Sequence, residues 1–289
     1  MAFSQKRIEV TFTLATGSFE GGGNSYSAAG LRTSCSGTVV GGQQINNFRM
    51  AIFGLPLDVM NQLSNVGPRF QQTLDNRVTV TAGDDVSGMH VVFEGNIYHA
   101  MVDATAMPQV AFLVEAKTGY FHQVKPATPL SIRGSADVAG MMSQIAGQLG
   151  MSFENNGVTA KLANPYYAGS LVQQATAIAR DAGIVWVMER NVLAINNPGD
   201  KREGETVLIS PQTGLIGYPL FNQQQIILKS AFNPAVKFQG EIEVKSDIEP
   251  ANGKWIVNAL NYELEAEMPQ GKWHMDIVGT IAGSTVAGG

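Results

Sequence analysis

The chain has 289 residues, a net charge of −5 and no basic run, which excludes nucleic-acid binding through a cluster of phosphate contacts. Only 15% of its residues are charged, against about 25% in a typical globular protein, and 18 Gln, 18 Asn and 32 Gly stand in their place. The single Cys35 excludes an intrachain disulfide and a multi-cysteine zinc site, and no apolar run reaches the ~18 residues of a membrane-spanning helix.

The length suits roughly two domains, each able to bury a core. The start, "MAFSQKRIEV", enters polar, alternating sequence with no signal peptide. A lone thiol suits synthesis in a reducing cytoplasm. A surface poor in Lys and Glu but rich in amides loses little charge solvation when neighbours cover it, as in a large assembly.

Residues 1–128 read as mostly β. "RIEVTFTL" (Arg7–Leu14) alternates with period two and places Ile8, Val10, Phe12 and Leu14 on one face. "FEGGGNSYSAAG" (Phe19–Gly30) reads as a flexible glycine-rich loop. "LRTSCSGTVV" and "NFRMAIFG" follow as strands, and "LPLDVMNQLSN" (Leu55–Asn65) as a short helix with Pro56 near its start. Three more strands are expected in "NRVTVTAG", "HVVFEGNIYHAMVDA" and "QVAFLVEAKTGYF".

Two prolines in "KPATPLSIRG" (Lys125–Gly134) mark a linker into a small α+β region, 129–200. Its first helix, in "SADVAGMMSQIAGQLG", can be capped by Ser135 or Asp137 and ended by Gly150. A strand, "MSFENN", comes next. The second helix, in "GSLVQQATAIARDAG", ends at Gly183, and "IVWVMERNVLAIN" is a hairpin turning at Glu189-Arg190-Asn191. "NPGDKREGE" (Asn197–Glu205) reads as a charged linker.

Residues 201–289 return to β, with strands in "QQIILKSAF", "VKFQGEIEVKSDI", "GKWIVNALNYELEAE" and "GKWHMDIVGTI". The last two are joined by the short loop "MPQGK". On the long strand Ile256, Leu260, Tyr262, Leu264 and Ala266 share one face, and Asn261, Glu263, Glu265 and Glu267 share a wet one. "TGLIGYP" (Thr213–Pro219) reads as a shaped turn. Phe93, Gly95 and Ile97 also echo Phe238, Gly240 and Ile242. If the echo is structural, the two stretches occupy equivalent strands of two similar β domains.

No constellation carries catalysis. There is no G-x-S-x-G, and Cys35 sits on an expected strand, where a small buried residue is the ordinary reading. His90, His99, His122 and His274 make no metal-ligand spacing. "EGGGNS" and "VVGGQQ" lack the Gly-Lys-Ser/Thr ending of a phosphate loop. Glu263, Glu265 and Glu267 read as a solvated strand face rather than a catalytic pair. Trp186, Trp255 and Trp273 read as packing anchors. No catalytic, cofactor-binding or metal-binding residue is therefore assigned.

The tract Leu208–Ile248 resembles the second half of baseplate hub proteins of contractile-tailed phages, as does the ending from Ala251 to Thr280. The shared elements are the T-G-x-I-G-Y-P turn, F-N-P-x-V-x-x-x-G, and a last hairpin with P-x-G-x-W at its tip. The helices of the middle region are similar too, and so is "FEGNI" in the first region. The resemblance implies a structural, non-enzymatic virion protein without cofactor, related to the hub part of type VI secretion spikes. It implies a mainly β, α+β chain: a β-barrel-like hub domain at 1–128, an α+β domain at 129–200, and a second barrel-like domain at 201–289.

It further implies a homotrimer between the six-fold tail tube above and the three-fold spike below, touching other baseplate proteins. Such a chain is assembled in the host cytoplasm and ends in the tail baseplate, with no specific nucleic-acid binding and no membrane-spanning segment. A carbohydrate- or protein-binding β module with an α+β insert is the alternative, and a hydrolase with a dispersed acid pair a third.

Overall fold

The computed structural model describes residues 4–42, 46–64 and 75–281. Strands dominate, as the alternating patterns require. By internal packing the chain divides into one unit of residues 1–37, 47–121 and 262–273, and another of 38–46, 122–261 and 274–289.

The first unit is built on antiparallel strands. β1 (Lys6–Thr13), β2 (Ser25–Ala29), β3 (Thr33–Val40), β4 (Asn47–Phe53), β5 (Arg77–Asp84), β6 (Gly88–Asp103) and β7 (Ala111–Lys117) follow in chain order, with α1 (Leu57–Leu63) after β4. Their order in the sheet is β3-β4-β7-β6-β5-β1-β2. The alternation of β1 buries Ile8, Val10 and Phe12, which lie opposite Ala82, Val80 and Val78 of β5. Phe48 stacks on Phe93 with ring centroids 4.9 Å apart and tilts against Tyr262 at 6.4 Å. Gly37 makes room for that ring, since a Cβ there would stand 1.9 Å from Phe48 Cδ2.

Two readings need correction here. The stretch Phe19–Gly30 is a loop only in its first half; Ser25–Ala29 is strand β2, paired with β1 from Glu9↔Ala29 to Thr13↔Ser25. The strand expected to run to Phe121 stops at Lys117, and Tyr120–Val124 form helix α2. Helix α1 matches its forecast through Ser64, its C-cap, while Asn65 lies outside the described residues.

Residues 130–196 of the second unit hold α3 (Val138–Leu149) and α4 (Leu171–Ala182) over three short sheets. β8 (Leu130–Ser131) pairs with β12 (Tyr166–Tyr167), and β9 (Ser135–Asp137) with β11 (Lys161–Ala163). In the third sheet β14 (Val192–Asn196) lies between parallel β10 (Ser152–Asn156) and antiparallel β13 (Val185–Glu189). The apolar stripe Met141, Met142, Ile145 and Leu149 of α3 meets Ile178 of α4, Trp186, Leu193 and Ile195 in one buried cluster. Asp137 caps α3 by accepting from Gly140 N at 2.8 Å, and Ser170 with Gln173 forms a capping box on α4. Gly150 and Gly183 end the two helices in the left-handed conformation.

The rest of this unit is β15 (Val207–Ile209), β16 (Leu215–Phe221), β17 (Gln225–Ala231), β18 (Glu241–Val244), β19 (Gly253–Ala266) and β20 (Trp273–Ile281). The order β16-β17-β20-β19 continues the main sheet, and β18 joins β19 to β15. β3 and β19 contribute residues to both units. Ser34 donates to Glu265 at 3.4 Å in the first, and Thr38 to Asn261 at 2.8 Å in the second. Within each unit the strand paths stay open: β2 ends that of the first, and β16 and β15 end the two branches of the second.

The echo has no structural counterpart. Gly95 lies inside β6 opposite Val78, whereas Phe238 and Gln239 form a turn and Gly240 precedes β18. Gln239 takes φ +60 there, in the left-handed region and outside extended backbone.

Candidate assembly surface

Strand β16, seven residues long, carries four exposed large apolar side chains, as many as the much longer β6. The stretch read as a turn is a turn only at its beginning. Thr213 Oγ1 accepts from Ser210 N at 2.8 Å and donates to Leu208 O at 2.8 Å, and Gly214 takes φ +117. The chain then extends along β17, pairing Leu215↔Ser230 and Ile216↔Lys229, slips, and resumes at Leu220↔Ile227. The slip falls on Gly217, at φ +70, Tyr218 and Pro219. Proline lacks the N–H that an interior ladder needs, so it belongs on an edge strand.

β16 pairs with β17 alone among the described strands. The single 3-10 turn Glu249–Ala251 also approaches it. Tyr218 is 67% exposed and Leu220 71%, with Ile216 and Phe221 nearly half exposed. Ile227, opposite Leu220 on β17, is exposed as well. β16 has no charged residue to repel a neighbour. Edge strands are normally blunted by charge, proline, bulges, shortness or covering structure; β16 has Pro219 and the slip, while its large apolar side chains stay exposed.

A second feature lies beside the α+β sheet. Arg202, in the segment read as a linker, is buried; its Nε and Nη2 donate to Glu154 at 2.8 and 3.0 Å, and its Nη1 donates to Glu189 at 2.7 Å. Burial alone would raise the Glu154 carboxyl pKa, but the paired Arg202 guanidinium outweighs it, and the group is held below the usual glutamate range. Arg190, at left-handed φ +51 in the hairpin, donates to the carbonyls of Pro234 and Val236 at 2.6 and 3.1 Å. These arginines tie the β13–β14 hairpin to the 197–205 segment and to the F-N-P turn. Charge density had suggested the opposite, a solvated connector.

The residues weighed for chemistry are dispersed. Cys35 is buried, and burial pushes its thiol pKa up, away from the reactive thiolate. Among the described residues no three His, Cys, Asp or Glu side chains converge as a metal site. Glu263 receives Lys272 Nζ at 3.0 Å, Glu265 receives the Lys272 backbone N–H at 2.9 Å, and Glu267 receives Gln5 at 2.9 Å. Trp186 and Trp255 are buried, the latter donating to Ala251 O at 3.1 Å, and Trp273 lies 5.9 Å from Lys6 Nζ. No described helix is long and apolar enough to cross a membrane. The edge strand escaped the sequence reading because Gly217 and Pro219 mimic turn chemistry. Its one signal was the apolar spacing of Leu215, Ile216, Leu220 and Phe221.

The fold has known counterparts. A tail protein from Neisseria meningitidis superposes with a TM-score of 0.65 at 9% identity, covering 96% of this chain and 97% of that one. A 43 kDa tail protein of prophage MuSo2 from Shewanella oneidensis gives 0.59 at 8% identity, over 94% and 96%. An E. coli protein described as a component of the type VI secretion system, structurally similar to T4 tail proteins gp27 and gp5, gives 0.58 at 10% identity, over 86% and 73%. No curated protein matches the sequence. The family described as Baseplate hub gp41 matches residues 7–270. Matched over residues 7–270, then, this chain belongs to the baseplate hub gp41 family of structural phage tail proteins, and is not an enzyme.

Proposed function

We propose that the chain acts as a homotrimeric baseplate hub joining a six-fold tail tube to a three-fold spike in a contractile phage tail. The observation that carries this reading is the family match over residues 7–270, joined to a fold shared along nearly the whole length of a tail protein. The exposed apolar side chains of uncharged β16 support it, because a contiguous exposed apolar group marks an interaction site. In this reading residues 1–128 and 201–289 are the two barrel-like hub modules of each copy, and 129–200 is the α+β domain between them. Three copies then offer six β modules to the tube. Assembly takes place in the host cytoplasm, beside the other baseplate proteins.

The test is stoichiometry. Light scattering of the purified chain, alone and with the spike protein of the same particle, should give three copies per complex, and electron micrographs should show a closed ring. A stable dimer under both conditions, with no ring, would overturn the proposal.

A further inference from the structure

The second unit holds a cleft of about 490 Å³, and every described residue that lines it belongs to that unit. Thr176 and Arg180 of α4 and the adjoining Ile184 line it, as do Ile256 and Asn258 of β19 and Thr280 of β20. Phe238 and Gln239 of the F-N-P turn line it too, together with Gly41. A Cβ on Gly41 would stand 2.4 Å from Phe238 Cζ, so a side chain there would displace the ring. The size, and the mixture of apolar walls with a few polar groups, are those of small-ligand pockets, which span roughly 300–1,000 Å³.

Gln239 stands out in this lining. It is 6% exposed, and its Oε1 has no hydrogen-bond partner among the described residues. Its backbone is fully used: the N–H donates to Val257 O at 2.7 Å, and the carbonyl accepts from Arg202 N at 2.7 Å. Glycine or asparagine would make both bonds and hold φ +60 with less strain. The turn therefore has no use for the long amide, and an unsatisfied buried acceptor costs stability. The neighbouring polar groups are already paired. Thr176 Oγ1 donates to Val172 O, Asn258 Nδ2 to Thr280 Oγ1, and Gly42 N to Trp186 O, each at 2.8 Å. Arg180, the one charged residue among the described lining residues, holds Asp181 at 3.0 Å.

We propose that this cleft binds a flat aromatic group carrying a single N–H or O–H donor, the chemistry that an indole or a phenol presents. The apolar body packs against Phe238, Ile184 and Ile256, and the donor meets Gln239 Oε1. A carboxylate would oppose that acceptor, and an ammonium would find no carboxylate among the described lining residues. The group can arrive as a free small molecule or on a tryptophan or tyrosine of a neighbouring protein. The site goes beyond the hub reading and does not depend on it.

Ligand-observed NMR of the full chain reads the site with two probes, indole and benzofuran, which share a shape and differ in the donor. Indole should bind about fivefold more tightly, the worth of one neutral hydrogen bond. Gln239→Met should abolish that preference, and Thr176→Trp should suppress both probes by filling the cleft from α4. Urea midpoints check that each variant is folded; Gln239→Met should be no less stable than the unaltered chain, since it removes the unsatisfied oxygen. Failure of both probes to bind the unaltered chain overturns the proposal, and so does equal affinity for the two. A preference that survives Gln239→Met overturns it as well, as does undiminished indole binding to a folded Thr176→Trp chain. N-acetyltryptophanamide separates the sources. Binding as tight as that of indole means a protein side chain, exclusion while indole binds means a free molecule, and either result supports the site.

Discussion

Arg202 shows how much one side chain can hold. Its guanidinium serves two glutamates at once, one of them, Glu189, almost wholly out of solvent. Removing it strips Glu154 of its bidentate partner and leaves buried Glu189 with only Arg190, 3.9 Å away; breaking a buried pair generally costs about 3–5 kcal/mol. Arg202→Met should therefore lower the urea midpoint strongly at pH 7. The pH dependence has a definite sign. Glu154 has a depressed pKa in the folded chain, so its contribution is present above its unfolded pKa and lost as pH falls through the depressed value. Without Arg202, Glu154 loses the cause of its depressed pKa, so the gap between variant and unaltered chain should narrow on acidification. A gap that widens below the carboxylate range would show that Arg202 acts through packing alone.

Among the elements, the two long helices were the most legible. Of the two caps offered for the first helix, Ser135 and Asp137, Asp137 serves; Gly150 and Gly183 end the helices as read, and Ser170, not singled out in the sequence, caps the second. Gly150 has φ +73, so Gly150→Ala would force a Cβ into the left-handed region, at a cost of roughly 1 kcal/mol. Asp137→Ala should cost about as much by freeing the Gly140 N–H. Denaturant titration of the two variants should show comparable losses, and a neutral Asp137→Ala would mean that water replaces the cap without penalty.

The strands were legible where alternation was strict, as in β1 and β19, and illegible where backbone geometry departs from type. β16 was hidden by its slip at Gly217–Pro219, and β2 by the glycines before it. Arg202 was hidden because linear charge density does not reveal which charges find partners across the fold. The assembly edge was invisible for a related reason: edge status belongs to strand order, which a local pattern does not encode.

For the whole molecule, low charge and abundant amides pointed to a covered surface, and the family assignment gives that covering its setting. The pair Leu220 and Ile227 stands opposed and exposed across β16 and β17. Leu220→Lys with Ile227→Lys should leave the monomer folded, since neither side chain is buried, yet weaken self-association at least tenfold. Sedimentation velocity across a concentration series reads this directly. Trimers of unchanged affinity would remove this edge from the contact.

The division of the chain bears on how it is made. The first unit draws on residues 1–37 and 47–121, yet it also requires 262–273, where Ser34 of β3 finds its partner Glu265. A ribosome releases the N-terminal strands long before Glu265 exists, so that unit waits, incomplete, for nearly the whole chain to emerge. Pairings so distant in sequence carry the loop-closure cost that slows folding. Nascent chains stopped before Tyr262 should therefore be protease-sensitive in both units, and a chaperone that shields apolar strands should be needed most during those last few dozen residues.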